Sequence, residues 1–198
     1  MYVLKKIYIT FVTLAVIGIS AGILYLTVIR PGSVELPEDV VMESAFGGEY
    51  SFKDLPPKIR LVEFMYVNCP DVCPTTSLRM NLLRKKLEAD GVFGDKVEFI
   101  SITIDTKRDT KEKLRQYAAR FNVTDDNAGW HFLRGSEEDT KKITNAFQFM
   151  YRDPGTGNFV HTTFTYMLDE NNRLLESLPM GEGFDDEKIY KRIKNELD

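Results

Sequence analysis

The stretch that most constrains this chain runs from Leu61 to Thr76 and reads LVEFMYVNCPDVCPTT. Its first part is mostly apolar and rich in β-favouring residues, which indicates a buried strand. The two cysteines of the chain, Cys69 and Cys73, follow at once, and each precedes a proline. Pro74 has no backbone N–H and therefore suits the first turn of a helix. A strand, a short loop with two thiols and a helix predict an α/β fold with its ligand or reaction site at the carboxyl end of that strand.

An uncharged apolar segment, Ile7–Ile29, precedes the rest of the chain. As a helix it is long enough to cross a hydrocarbon core of about 30 Å. Lys5 and Lys6 stand before it, and positive charges in this position usually stay in the cytoplasm. We therefore predict that residues 1–30 form a cytoplasmic N-terminus and one transmembrane anchor. A cleaved signal peptide is the alternative, but the apolar run continues well past the small residues 20–22.

The part of the chain after the anchor is predicted to lie outside a bacterial plasma membrane, in a single-pass protein. No Arg- and Ser-rich transit peptide precedes the apolar run, which argues against a mitochondrial protein. The chain has 26 basic and 30 acidic side chains, and three of the basic ones lie in its first 30 residues. The exported part is therefore acidic, which argues against nucleic acid as a partner. In this oxidising compartment two thiols either pair, bind a metal or are kept reduced by a partner.

The order of the predicted elements after the anchor is that of a thioredoxin-like domain with an N-terminal hairpin and an insertion. Residues 31–44 are predicted to form a linker, and residues 45–198 to form the domain. The patterns predict a hairpin within residues 47–57, strands at Val97–Ile104, Trp130–Leu133, Thr162–Leu168 and Arg173–Leu178, and helices that begin near Pro74, Asp109, Ser136 and Asp185.

Residue spacing within these elements predicts which side chains are buried. Two predicted helices have apolar residues at helical spacing, namely Leu78, Leu82, Leu83 and Leu87 in one, and Ile143, Ala146, Phe147 and Met150 in the other. Large aromatic side chains are mostly buried, so Tyr66, Trp130 and Phe164 are expected in the core. Asp109 with Glu112 resembles a helix-capping pair.

One histidine completes a set of donors around the two thiols. The Cys-x-x-x-Cys spacing places Cys69 and Cys73 close enough to share one ion or one disulfide, but two thiolates are too few for a closed zinc site. His161 comes just before the strand Thr162–Leu168, where thioredoxin-like folds usually carry a cis-proline that faces the dithiol. An imidazole there, with two thiolates, is a soft three-donor set that suits copper. His131, the other histidine, alternates with apolar neighbours and is expected on an exposed face.

Simpler interpretations of these residues remain open from the pattern alone. The two cysteines could form a structural disulfide, although closing so short a loop contributes little stability. His161 could be a polar loop residue that faces solvent. Asp71 either orients a ligand or docks a partner, or it forms a turn. Asp105 either points toward the site or forms a cap or a pair with Arg108.

These motifs together resemble the Sco family of membrane-tethered copper proteins that serve the assembly of cytochrome c oxidase. The matching pieces are NCPDVCPTT at 68–76, SITIDTKRDT at 101–110, WHFL at 130–133 with Gly135-Ser136, and His161 before its strand. The resemblance covers roughly residues 45–196 and the anchor, and the combination of motifs is highly specific.

The resemblance implies a thioredoxin-like fold and one copper ion, Cu(I) or Cu(II), held by Cys69, Cys73 and His161. It also implies a role in maturing the binuclear CuA centre, with subunit II of cytochrome c oxidase as the partner. Family members often have an aspartate directly before the ligand histidine, whereas this chain has Val160 there. A carboxylate behind the histidine at that place is therefore not expected.

Three other functions would use the same thiols. A thiol–disulfide oxidoreductase would reduce the oxidase cysteines through Cys69 and Cys73, and the thiol of lower pKa would attack first. A membrane-bound redox sensor could use the same fold and site. The run Val72-Cys73-Pro74-Thr75 suggests a peroxiredoxin-like peroxidase, but such enzymes place a threonine three residues before the reactive cysteine, where this chain has Pro70. Copper binding for CuA maturation is therefore the principal prediction.

Overall fold

The computed structural model describes residues 2–24, 34–125 and 129–197 of the chain. The chain divides into two compact units, residues 1–33 and residues 34–198. We describe each unit by itself.

The first unit contains helix α1, which spans Tyr2–Leu24. Its segment Lys5–Gly22 has a mean hydropathy of 1.4 and is long and apolar enough to cross a membrane. The prediction of one such N-terminal helix is confirmed. The last part of the predicted span, residues 25–29, lies outside the described residues.

The second unit alternates strands and helices as the sequence predicts. Its elements are β1 Val41–Ser44, β2 Glu49–Ser51, β3 Ile59–Met65, α2 Val72–Ala89, β4 Val97–Thr103, α3 Lys111–Ala119, β5 Trp130–Arg134, α4 Glu137–Ala146, β6 Tyr151–Arg152, β7 Val160–His161, β8 Phe164–Leu168, β9 Leu174–Pro179, a 3₁₀ turn at Gly181–Gly183, and α5 Asp186–Leu197.

Within the described residues, seven strands form one sheet in the order β2-β1-β5-β4-β3-β8-β9, and β6 and β7 form a separate two-stranded ribbon. Strands β3, β4 and β5 are parallel, whereas β1, β2, β8 and β9 join the sheet in antiparallel fashion. The predicted α/β domain with an N-terminal hairpin is confirmed. One boundary differs: residues 31–44 were predicted as a linker, but β1 pairs with β5 in the sheet, and Val40 and Met42 are fully buried.

Strands β3 and β4 form the centre of the core, because every residue of both strands is buried. Such double-sided burial is typical of parallel strands covered by helices and explains their nearly continuous apolar sequence. At the end remote from the cysteines, Arg60 and Glu98 pair at 2.7 Å (Nε to Oε1), and the Tyr50 hydroxyl donates to the same oxygen at 2.8 Å. This buried pair joins the hairpin β1–β2 to the central strands.

His131 belongs to this remote cluster, so the prediction that it lies on an exposed face is wrong. Its Nε2 lies 3.8 Å from a Glu98 carboxyl oxygen, and its ring lies 4.9 Å from the ring of Tyr50. Strand β5 is covered at this position by the hairpin, which alternation of apolar and polar residues in β5 alone does not reveal.

Two predicted apolar faces are only partly correct. In α2, Leu83 and Leu87 are buried, but Leu78 and Leu82 are 52% and 39% exposed. At about 100° per residue, Leu78 and Leu83 point about 140° apart, so the four leucines cannot share one face.

Met150 and Phe164 were also predicted to be buried, but they are 74% and 42% exposed. Helix α4 ends at Ala146, which leaves Met150 outside the helical period. Phe164 opens strand β8 at a position that faces away from the core. The other two aromatics, Tyr66 and Trp130, are buried as expected.

Glu63 is a carboxyl group in the middle of the core. Its neighbours in register are Ser101 on β4 and Thr165 on β8, and the side chains of all three are fully buried. Burial raises the pKa of Glu63 to about 8, although hydrogen bonds from Ser101 and Ser77 partly oppose the rise. The carboxyl group is therefore mostly neutral at pH 7 in the folded protein.

This pKa predicts a pH-dependent effect of the substitution Glu63→Gln on stability. Between pH 4.5 and pH 8 the unfolded chain loses the Glu63 proton while the folded protein keeps it, so this carboxyl group lowers the free energy of unfolding as the pH rises. The stability of Glu63→Gln relative to the native chain should therefore increase across this range, by on the order of 4 kcal/mol. Thermal unfolding of both proteins at pH 5, 6.5 and 8 measures the difference. A difference that does not change with pH would contradict the assignment.

Candidate metal and redox site

Two separate segments of the chain bring Cys69, Cys73 and His161 together. Cys69 lies in the loop after β3, Cys73 lies in the first turn of α2, and His161 lies in the ribbon strand β7. The two sulfurs and a ring nitrogen of His161 all lie within 4.8 Å of one another. Both thiols are free in this structure. The three residues singled out in the sequence therefore form one cluster.

The two thiols have different environments. Cys73 is fully buried and its backbone N–H donates to the Cys69 sulfur at 3.4 Å, whereas Cys69 is 9% exposed. The Cys73 thiol hydrogen bond lowers the pKa of Cys69 to about 4, despite partial burial, and His161 contributes in the same direction. The same contact, together with burial, raises the pKa of Cys73. At neutral pH the pair is therefore one thiolate, Cys69, and one thiol, Cys73.

The ribbon β6–β7 fixes the imidazole. Tyr151 of β6 pairs with His161, and the next residue, Thr162, donates its backbone N–H to Met150 O at 2.8 Å. His161 Nδ1 lies 2.7 Å from the Thr162 carbonyl oxygen. A carbonyl oxygen only accepts, so Nδ1 carries the proton and Nε2 is the nitrogen that can face a metal or thiolate.

Aromatic side chains hold the His161 ring from two sides. The ring stacks on Phe149 with centroids 5.8 Å apart and meets the edge of Tyr66 at 5.9 Å. Burial opposes the charged form of the imidazole, but the hydrogen bonds to Cys69 and to the Thr162 carbonyl raise its pKa above the ordinary value. The imidazole and the Cys69 thiolate therefore stabilise each other.

Asp109 supports the end of β3, and the prediction that it caps α3 with Glu112 is wrong. Its buried carboxylate accepts hydrogen bonds from the Val67 N–H at 3.0 Å and from the Thr103 hydroxyl. The residue that caps α3 is Thr110, whose hydroxyl accepts from the helix backbone. Asp109 thus holds the backbone two residues before Cys69, a role for which the sequence pattern gave no signal.

Arg108 supports the other half of the site. It pairs with Asp105, as one of the two interpretations of Asp105 predicted, and with Asp153 at 2.9 Å. Its guanidinium lies 5.2 Å from the ring centroid of Phe159, which packs against Tyr66 at 5.1 Å. One short motif, residues 105–109, therefore braces both the cysteine loop and the loop that leads to His161.

The site opens to solvent at the cysteine loop. Asn68, Pro70 and Asp71 are exposed around Cys69, and His161 is half-buried. Asp71 occupies the N-cap position of α2 but makes no capping hydrogen bond with its side chain. It is therefore an exposed residue of the rim.

The unequal thiols predict selective alkylation. Iodoacetamide reacts with thiolates, so at pH 6 it should modify Cys69 and leave Cys73 unmodified in the folded protein. In His161→Ala the midpoint of the rate–pH profile should move to higher pH, because a hydrogen bond to the thiolate is lost. In Cys73→Ala it should move further, since that contact has the larger effect on Cys69.

Peptide mass spectrometry after timed alkylation measures the rate at each pH. His131→Gln, which changes the histidine remote from the site, serves as the control and should leave the midpoint unchanged. Equal alkylation of the two cysteines at pH 6 would contradict the asymmetry.

Comparison with known proteins identifies a family model and relatives that match this chain. A family model described as SCO1/SenC matches residues 41–198. The SCO1 protein homolog of Bacillus subtilis is 25% identical over 169 residues, which cover 80% of this chain and 85% of that protein. A SCO2-like protein of Rickettsia conorii is 30% identical over 186 residues, which cover 81% of this chain and 83% of that protein.

Solved structures are similar over the same region. A SCO1/SenC family lipoprotein from Bacillus anthracis has a TM-score of 0.73 at 27% identity and covers 83% of this chain and 95% of its own. ScoI of Bradyrhizobium japonicum, solved with copper bound, has a TM-score of 0.68 at 23% identity, with coverages of 82% and 100%. BsSco, described with a disulfide switch, has a TM-score of 0.69 at 23% identity, with coverages of 83% and 92%. The thioredoxin-like fold is confirmed by these matches.

Proposed function

Because this chain belongs to the SCO1/SenC family, we propose that it binds one copper ion through Cys69, Cys73 and His161. The observation that carries the proposal is the approach of these three donors to within 4.8 Å of one another. Two metal–sulfur bonds of about 2.3 Å span about 4.6 Å, so a single ion between the donors reaches all three. Two thiolates and one imidazole are soft donors of the kind that copper prefers.

The relatives support the same metal. Structures of Sco proteins from Bradyrhizobium japonicum and yeast were solved with copper bound. The Sco family is a family of cytochrome c oxidase assembly proteins. We accordingly propose that this chain is a metallochaperone for the CuA centre, with subunit II of cytochrome c oxidase as the recipient.

In a chaperone the copper ion is cargo, and the site is built to take it up and give it away. Cys69 is already a thiolate at neutral pH, whereas Cys73 must lose its proton as the ion binds. Cys73 is fully buried, whereas Cys69 is 9% exposed between the exposed residues Asn68 and Pro70, and His161 is half-buried. A thiolate of the recipient therefore approaches from the side of Cys69 and His161, and these two donors exchange before Cys73 does.

The N-terminal helix supplies the location in this proposal. Residues 1–30 anchor the chain in a bacterial plasma membrane with Lys5 and Lys6 in the cytoplasm, and the copper-binding domain lies on the extracytoplasmic side. The CuA site of an oxidase subunit exposed on that side is within reach of a tethered domain.

Donor type predicts how the site responds to loss of the imidazole. His161→Ala should weaken Cu(II) binding by about tenfold or more and Cu(I) binding much less, because two thiolates suffice for Cu(I). The reduced full-length protein in detergent is titrated with Cu(II), and the sulfur-to-copper charge-transfer absorption is followed; Cu(I) affinity is measured by competition with a chromogenic chelator.

Three further variants are measured for comparison. Cys69→Ser and Cys73→Ser should each abolish the charge-transfer band or change it strongly, and His131→Gln should leave both affinities unchanged. Equal losses of Cu(I) and Cu(II) affinity in His161→Ala would remove the imidazole from the proposed ligand set.

A thiol–disulfide oxidoreductase, or a redox sensor with the same chemistry, is the second candidate function. The observation that favours it is the pairing of a low-pKa thiolate, Cys69, with a buried thiol, Cys73, which is the arrangement that thiol–disulfide exchange uses. In this role Cys69 attacks the target disulfide, and Cys73 resolves the mixed disulfide. His161 would then assist only by stabilising the Cys69 thiolate.

Complementation separates the two functions. In a bacterium that lacks its own copy of this chain, we expect His161→Ala to lose CuA-dependent oxidase activity to the same extent as Cys69→Ser. Donation of Cu(II) needs the imidazole, whereas reduction of the oxidase cysteines needs only the thiols. Oxidase activity in isolated membranes is the readout, and normal activity in the His161→Ala strain would favour the reductase.

A further inference from the structure

A cavity of about 320 Å³ lies beside the ribbon that carries His161. It is lined on one side by residues 104–108, which follow β4, and on the other side by residues 151–153 and Phe159 of the ribbon and its loop, with Glu137 at the rim. We call this cavity the ribbon pocket. Its volume falls within the range of ligand pockets in proteins, and none of its lining residues belongs to the proposed copper ligand set.

The walls of the ribbon pocket are connected to the third donor of the copper site. Tyr151 is the direct partner of His161 in the ribbon. Phe159 precedes His161 by two residues, and its ring lies 5.1 Å from the ring of Tyr66. Tyr66 in turn meets the edge of the His161 ring at 5.9 Å. A molecule that enters the pocket therefore contacts the segment that positions the imidazole.

Arg108 lies in the pocket between two carboxylates of unequal exposure. Its Nε pairs with Asp105, whose side chain is 3% exposed. Its Nη2 lies 2.9 Å from Oδ2 of Asp153, whose side chain is 40% exposed. Ion pairs that water reaches are weak, whereas a buried carboxylate depends on its partner. The contact with Asp153 is therefore the one that another carboxylate can replace.

The rim of the pocket carries positive charge that is little used within the domain. Arg152 is exposed, and its side chain forms no ion pair or hydrogen bond with the described part of the chain. Lys107 Nζ lies 4.0 Å from a carboxyl oxygen of Glu137, and these two side chains are 81% and 77% exposed. Lys141 Nζ lies 5.3 Å from the ring centroid of Tyr151. The chain as a whole has more acidic than basic side chains, so this cationic rim favours an anionic partner group.

The pocket also offers aromatic and apolar surface. The rings of Tyr151 and Phe159 both line it, with centroids 6.1 Å apart, and Ile104 lies at its buried end. The Arg108 guanidinium lies 5.2 Å from the ring centroid of Phe159. Cations next to aromatic rings suit a peptide segment in which a carboxylate adjoins an apolar side chain, since such a segment uses both kinds of surface.

We propose that the ribbon pocket binds a carboxylate-bearing segment of the copper recipient, and that this carboxylate replaces Asp153 as the partner of Arg108. The proposal rests on the proposed function, because it takes subunit II of cytochrome c oxidase as the recipient. It goes further by assigning the surface on which that partner docks and the event that loosens the third donor. The pocket adjoins the ribbon of His161, which is the side from which the recipient thiolate approaches in that function.

Exchange of the two carboxylates couples docking to the release of copper. Before docking, Asp153 connects the loop between β6 and β7 to Arg108 and so holds His161 near the two sulfurs. After docking, Arg108 still pairs with Asp105, but Asp153 turns to solvent and the loop loses this connection. The imidazole then leaves the ion more easily, and a recipient thiolate binds the ion in its place. Arg108 has two carboxylate partners before and after the exchange.

Binding to the recipient tests the location of the docking surface. The reduced, copper-free full-length protein in detergent is titrated in a calorimeter with the reduced, copper-free CuA domain of subunit II from the same bacterium. Arg152→Glu and Lys107→Glu should each weaken binding by about tenfold or more, whereas Arg152→Lys should bind as the native chain does. Arg173→Glu and Lys85→Glu are the matched controls, because they make the same charge changes at exposed positions outside the pocket, and they should leave the affinity unchanged.

Copper release tests the exchange at Arg108. The protein loaded with Cu(II) is mixed with excess triethylenetetramine, a chelator without carboxylates, and the decay of the sulfur-to-copper absorption is followed. A recipient domain with its CuA cysteines replaced by serine, which cannot capture the metal, should speed this decay by about tenfold or more in the native chain.

The variant Asp153→Asn removes the charge that Arg108 holds. The Asn side chain still offers an oxygen to the Gly155 N–H, which Asp153 Oδ1 accepts at 2.8 Å, so the turn of the loop is kept. We expect this variant to release copper several times faster than the native chain without any recipient, and to respond little when the serine-substituted recipient domain is added.

The outcomes separate docking from copper binding. Native affinity in Arg152→Glu and Lys107→Glu would overturn the pocket as the docking surface and leave the copper site untouched. Docking that does not speed copper release, or native release from Asp153→Asn, would overturn the exchange at Arg108. A native chain that does not bind the recipient domain would overturn both the choice of recipient and this proposal, while the Cu(II) titration would still test the ligand set. Self-association of the native chain that Arg152→Glu abolishes, as judged by size-exclusion chromatography, would make a second copy the occupant and would also overturn the proposal.

Discussion

The position of β3 at the centre of the sheet is the constraint on which the rest of the structure depends. Both faces of β3 are covered, so its residues are buried along its whole length, and the strand ends abruptly at a loop that reaches the surface. The chain passes from the buried Met65 to the exposed Asn68, so Cys69 lies close to the opening of the site. Cys73 turns back into the core on α2. The two thiols are therefore unequal before any metal or partner is considered.

The site has two halves that come from distant parts of the chain, and the segment 105–109 after β4 joins them. Asp109 holds the end of β3 through the Val67 N–H, and Arg108 holds the loop before β7 through Asp153 and Phe159. Isolated surface ion pairs contribute little stability, commonly about 0–1 kcal/mol. The Arg108–Asp153 pair has a geometric role instead, because it positions the loop before β7 and hence the imidazole relative to the sulfurs.

Local patterns predicted most of the elements and the three clustered donors, but they did not predict relationships between elements. The strand β4 and the helix starts near Pro74 and Ser136 follow from short-range sequence patterns. Asp109 looked like a helix cap because it precedes Glu112 by three residues, and only the folded chain shows that its carboxylate reaches β3. His131 looked exposed because the hairpin that covers β5 lies far away in sequence. Glu63 stood within an apolar run, and nothing local distinguishes a buried carboxyl group from one at the edge of a strand.

Within the described residues, His161 lies on a ribbon of two residue pairs, outside the seven-stranded sheet. Displacing this ribbon breaks few hydrogen bonds and leaves the main sheet intact, so the imidazole can withdraw while the fold persists. Substitutions in residues 150–160 therefore change how firmly His161 is held, with little effect on the main sheet. A change in this short appendage alters the position of His161 alone, whereas a comparable change near Cys73 disturbs the interior of the domain.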